Sequence, residues 1–200
     1  MALAKSRVTA DARGFSIIEV LMATALMVAA VASLAQLFAL STTRNKSAKN
    51  TTFAAVLAQQ KMEQLRSLTW GFDTVGLPVS DYNTDTTDVG TLAGCTSSGT
   101  GAGTGLSPSP SGTLTQNTDG WVDYLDLNGC DLGGGGTAPQ GTTYIRRWSV
   151  EPLPTNPNNT LILQVLVFKN RDRGTAADAG NVARLPEEAR LVSVKTRKMK

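Results

Sequence analysis

The stretch Arg13-Gly14-Phe15-Ser16-Ile17-Ile18-Glu19-Val20-Leu21-Met22-Ala23 sets one acid, Glu19, near the start of an apolar run with no further charge from Val20 to Thr43. About 20 apolar residues suffice for a helix to cross a bilayer, so residues 15–40 are expected to form a transmembrane helix. A carboxylate deep in such a segment costs roughly 2.5–3.5 kcal/mol on insertion scales, and keeping one there demands a use. Were the peptide bond after Gly14 cut, Phe15 would begin the chain with a free amine, one helical turn from Glu19. The carboxylate would also favour the positive end of the helix dipole. Amine and carboxylate at one depth can neutralise each other within one chain or between neighbours. The second arrangement would set the axial register of one helix against the next.

The pattern resembles the type IV prepilin family, which includes minor pilins and the pseudopilins of type II secretion. Gly14, Phe15 and Glu19 carry the resemblance, with the apolar Ile17-Ile18 and Val20-Leu21-Met22-Ala23 around them. It is specific over residues 7–40, extends along the helix to about Leu68, and is general beyond. It implies a leader at 1–14, cut between Gly14 and Phe15 by a membrane prepilin peptidase, and N-methylation of Phe15. It also implies a role for Glu19 in assembly and register. The other implied partners are further pilins or pseudopilins, an inner-membrane assembly platform and membrane lipid. The implied location is the inner membrane, single-pass, with the N-terminus in the cytoplasm and the C-terminal domain in the periplasm, then the pilus or cell surface. The family's long pilins often carry proline or glycine in the membrane helix, whereas none occurs here between Phe15 and Trp70. The function expected is that of a structural subunit, a minor pilin of a type IV pilus, with a type II secretion pseudopilin as the alternative.

Two other readings compete. Lys5, Arg7 and Arg13, an apolar centre, and Ala30-Val31-Ala32 before Ser33 make up an ordinary signal peptide, which would release a secreted binding protein. Against it, Glu19 interrupts the apolar centre, and the run continues past Ser33 through Leu34, Leu37, Phe38 and Leu40. A plain anchor with an idle Glu19 is the third. Lys5, Arg7 and Arg13 favour an inside N-terminus, while Arg44, Lys46 and Lys49 argue weakly the other way.

Residues 41–70 read as an amphipathic continuation of the same helix. Phe53, Val56, Leu57, Met62, Leu65 and Leu68 fall largely on one stripe, with Gln59, Gln60, Lys61, Glu63, Gln64 and Arg66 between them. Gly71 is the expected stop after Trp70, and the helix would run roughly 80 Å at 1.5 Å per residue. Residues 71–141 hold sixteen of the nineteen glycines with many Thr, Ser and Asp, and read as loops and short strands. Residues 142–200 regain order: 144–150 alternates with Tyr144, Trp148 and Val150 on one face, 161–168 is apolar on nearly both faces, and 190–196 alternates again. The fold class is therefore α+β, an antiparallel meander packed on the amphipathic half of a long N-terminal helix, which is also the architecture the resemblance implies.

The net charge of +3 is unevenly spread. Between Ser67 and Ile145 there are eight Asp and no Lys or Arg, while eleven basic and five acidic residues follow from Arg146. That asymmetry could orient partners, but two solvated surfaces is the reading adopted. Cys95 and Cys130 would lie in an oxidising compartment, so a disulfide is expected, worth about 4 kcal/mol in the chain-entropy model; two free thiols are the alternative. With no histidine, Walker loop or GxSxG in the sequence, no enzyme and no cofactor is expected. Asp119, Asp123, Asp126, Asn128 and Asp131 cluster near glycine, but the pattern lacks a closing glutamate, and turn chemistry explains it more cheaply than calcium. The basic end, Lys195 to Lys200, has no aromatic platform among its charges, so nucleic acid is not an expected partner.

Overall fold

The computed structural model describes residues 14–86, Cys95, 104–170 and 187–198. The expected leader, apart from Gly14, lies outside the described residues. So do most of the glycine tract 96–105, most of the polar stretch 171–189, and Met199-Lys200. The chain divides into two units, Met1–Lys46 and Ser47–Lys200. A single helix, α1 (Ile17–Ser67, 51 residues), contributes to both.

In the first unit α1 starts where its sequence supplies a cap. The Ser16 carbonyl accepts the Val20 amide at 3.2 Å, which makes Ser16 the N-cap and Glu19 the third helical residue. Ser-x-x-Glu is the capping-box spacing, and an acid in the first turn complements the exposed N–H groups there. From Gly14 to Asn45 every side chain is exposed, most of them apolar. This is the one described helix long and apolar enough to cross a membrane. Four of its hydroxyls bond within the helix: Thr24 donates to the Leu21 carbonyl, Ser33 to Ala29, Thr42 to Phe38 and Thr43 to Ala39. A segment surrounded by hydrocarbon needs this, because no water is there to take the donor.

In the second unit α1 buries one stripe: Ala54, Leu57, Ala58, Lys61, Met62 and Leu65. The three- and four-residue intervals put all six on one helical face. Two expected features change here. Val56 is exposed, and Lys61 is on the buried stripe. The helix also stops at Ser67 rather than Trp70, because Trp70 opens a hairpin. Its strands are β1 (Trp70–Phe72) and β2 (Pro78–Ser80), paired antiparallel. Lys195 finishes the helix by reaching the carbonyl of Arg66, where a cation suits the negative helix end. Burial, then the charges of Lys198 and Arg66, hold the Lys195 ammonium below its usual pKa of 10.5.

The main sheet runs β3 (Val122–Leu125), β4 (Tyr144–Pro152), β5 (Thr160–Lys169) and β6 (Ala189–Thr196), in that spatial order and antiparallel throughout. The three-strand meander expected from the sequence is therefore four-stranded. The added strand is the short Val-Asp-Tyr-Leu, lodged in the glycine-rich region and buried at all four positions. Strand β4 alternates as read. Tyr144, Trp148 and Val150 join Leu57, Leu65, Leu161, Leu163 and Val165 in the core under α1. Ile145 turns to the opposite face and packs with Val122, Tyr124 and Phe168.

Candidate functional site

At the N-terminal site, Gly14 has nothing within 4 Å of where a Cβ would stand, and its φ lies outside the left-handed range. Nothing among the described residues requires glycine there. Phe15 is 82% exposed and Glu19 is exposed one turn along. The three residues singled out from the sequence thus sit together at the helix start and make no use of one another in a single chain.

The second cluster was not foreseen. Asp123 on β3 faces its register partner Arg146 on β4. Its Oδ2 accepts from Arg146 Nε at 3.0 Å and Nη2 at 2.8 Å, and lies 2.7 Å from Lys61 Nζ. All three side chains are 0% exposed. Arg146 also donates to the Leu57 carbonyl and Gln60 Oε1 on α1. Lys61 reaches the Thr86 carbonyl and lies 4.3 Å from the Trp148 ring centroid. The cluster therefore ties helix, sheet and the backbone at Thr86 together in the core. Arg147, on the other face, forks onto Asn117 Oδ1 with Nε and Nη2 and stacks on Phe168. The expectation of two solvated charged surfaces fails at these positions. The acidic stretch and the basic stretch meet inside the protein, since neither charge could be left alone in an apolar interior. The signal was available for Lys61, which stands four residues from both Leu57 and Leu65.

The aspartates weighed for calcium serve elsewhere. Asp126 Oδ1 accepts the amides of Asn128 and Cys130, Asp119 that of Gly120, and Asp131 that of Gly133. Among the described residues no group of three acidic or cysteine side chains is placed to hold a metal ion.

Cys95 and Cys130 are bonded. Cys130 closes the turn after β3, where Leu125 bridges to Asp131, so the bond tethers residue 95 to the sheet edge. Replacing either cysteine with serine should cost about 4 kcal/mol by the loop-closure relation. Urea unfolding should give one common loss for Cys95→Ser, Cys130→Ser and the double variant. A double variant clearly less stable than either single one would mean that the thiols contribute by packing rather than by the bond.

No family model matches the chain, and no curated protein and no solved structure matches it. A functional reading therefore rests on the residues and geometry above.

Proposed function

We propose that the chain is a prepilin-like subunit, a minor pilin of a type IV pilus, made with a leader, cut after Gly14 and built into a filament through its N-terminal helix. One observation carries this. Gly14, Phe15 and Glu19 are displayed at the start of α1, whose first half is apolar, exposed and long enough to cross a membrane. A signal peptide cut before Ser33 would strand Leu34, Leu37, Phe38 and Leu40, all exposed, on a soluble product. Packing those residues against like helices covers them, and their uncharged surface makes lipid the waiting environment before assembly.

In this reading the leader stays cytoplasmic and the disulfide-bonded unit lies in the periplasm. Cutting at Gly14 frees the Phe15 amine at the same helix end as Glu19. In an array of parallel helices the amine of one subunit and the carboxylate of the next can share a depth. Each then loses its desolvation penalty only when the register is correct. Mass spectrometry of the mature N-terminus is the test. A chain beginning at methylated Phe15 supports the reading, and one beginning at Ser33 or retaining its leader removes it.

Glu19→Ala should leave membrane insertion and cleavage intact while lowering the subunit's share in sheared filaments by roughly thirtyfold or more, since breaking one side of a desolvated pair costs about 2–5 kcal/mol. Incorporation at the wild-type level would remove Glu19 from the assembly mechanism.

A further inference from the structure

The uncharged part of α1 ends abruptly. No charge stands between Val20 and Thr43, and Arg44, Lys46 and Lys49 then follow within two turns, all exposed. The helix supplies them no counter-charge, since no acid lies between Glu19 and Glu63. Glu187 does reach this part of α1, but it accepts from Asn50, and its carboxylate is 3.6 Å from Lys169. The contrast with the rest of the chain is sharp. Every described base from Lys61 to Arg197 has a hydrogen-bond acceptor or an acid for its side chain. Among the described residues Arg44, Lys46 and Lys49 have none.

Their positions on the helix are informative. At 3.6 residues per turn the three are spread over about 200° of the circumference, so they form a collar around the helix and not a stripe along one side. A folded protein docks on one side of a helix, whereas lipid headgroups surround it. Depth agrees with the second partner. Glu19 and Arg44 are 25 residues apart on one unbroken helix, about 38 Å at 1.5 Å per residue. That exceeds the bilayer's hydrocarbon core of about 30 Å and falls just short of its full thickness of about 40–45 Å. With Glu19 at one face, the collar stands among the headgroups of the other.

We propose that Arg44, Lys46 and Lys49 bind the phosphate groups of anionic phospholipids at the membrane face where the span ends. Three bases with no acid among them need a partner of net negative charge. A zwitterionic headgroup brings its own cation beside the phosphate and offsets little. Anionic headgroups also answer a conflict in the flanking charge: Lys5, Arg7 and Arg13 favour an inside start, and three bases on the outer flank oppose it. Lipid of opposite charge around those bases lowers the cost of keeping them outside. The collar rests on α1 crossing a membrane, as the proposed function does, but not on a cut after Gly14.

The test uses the full-length chain in vesicles, with Asn45→Cys carrying a maleimide fluorophore; the native cysteines are bonded to each other and stay unlabelled. The vesicles are phosphatidylcholine with a fixed share of phosphatidylglycerol, and a quenching spin label high on the acyl chain is carried by one lipid or by the other. Quenching should show phosphatidylglycerol beside residue 45 at about fivefold its bulk share, an excess that 1 M salt should largely remove. Changing Arg44, Lys46 and Lys49 together to glutamine, a good helix former, should abolish the excess while the disulfide and the unfolding midpoint stay as they were. Lys198→Gln, which neutralises an exposed base of the second unit, should leave it intact. Equal quenching by the two lipids, an excess that survives the triple substitution, or one that falls as far with Lys198→Gln would overturn the collar and leave the filament reading standing. No quenching by either lipid would place residue 45 outside the bilayer and overturn the collar and the membrane-spanning helix together.

Discussion

Asp123→Asn should destabilise the second unit by about 3–5 kcal/mol, the loss typical of breaking a buried ion pair from one side. The substitution keeps the shape of the side chain and removes only its charge. Lys61 and Arg146 would then share an uncharged amide in place of a carboxylate, each with its side chain 0% exposed. Neither can reach water without opening the contact between α1 and the sheet, because Arg146 also holds the Leu57 carbonyl and Lys61 the Thr86 carbonyl. Lys61→Met should cost much less. It leaves the Asp123–Arg146 fork intact, fills the space beside Trp148 with an apolar chain, and gives up one cation–π contact worth roughly 0.5–2 kcal/mol. Denaturant unfolding of the two variants checks the order. A Lys61→Met loss equal to that of Asp123→Asn would mean that the cluster acts through packing of the lysine stem rather than through the shared carboxylate.

The same cluster marks the limit of what was legible in the sequence. Strands with strong alternation were readable, because period two fixes which side chains meet the helix: Tyr144, Trp148 and Val150 lie in the core as their spacing required. Helix α1 was readable from its two regimes, uncharged first and striped later. Strand β3 was not, because four residues between turns hold too little pattern to stand out from a glycine-rich background. Its reality depends on Asp123 finding Arg146 across 22 intervening residues, a pairing that no local window contains. Charge was misread for the same reason. Arg146 looks like the first member of a basic surface until the sheet register places it opposite an aspartate and beneath a lysine from α1. The helix end was missed by three residues, since Trp70 reads equally well as the last turn of a helix or the first residue of a strand. Its burial under the Arg197 guanidinium, 3.7 Å from the ring centroid, is tertiary and decides the matter. At the N-terminal site Gly14, Phe15 and Glu19 stand out by their spacing alone, and the structure adds only that Phe15 and Glu19 are exposed and that a Cβ at Gly14 would meet no described atom within 4 Å.

Gly14→Val should yield a chain that folds as the wild type does and is never shortened. The first half of this follows from the geometry around residue 14. A Cβ there meets no described atom within 4 Å, the backbone is not in the left-handed region, and the helix begins only at Ile17, beyond its Ser16 cap. The disulfide and the Asp123 cluster are remote in sequence and belong to the other unit. Unfolding midpoint and disulfide content should therefore be unchanged. The second half follows from the proposed reading: a peptidase that closes on the backbone on both sides of the scissile bond has no room for a β-branched side chain where it expects none. Intact mass then separates the three accounts of the N-terminus. A prepilin loses its first fourteen residues in the wild type and keeps them in the variant. A secreted protein cut before Ser33 has the same shortened mass in both, because residue 14 lies far from that bond. A plain anchor keeps its full length in both. Only the first pattern requires glycine for a reason that lies outside the chain, and a variant shortened to Phe15 as efficiently as the wild type would show that no such requirement exists.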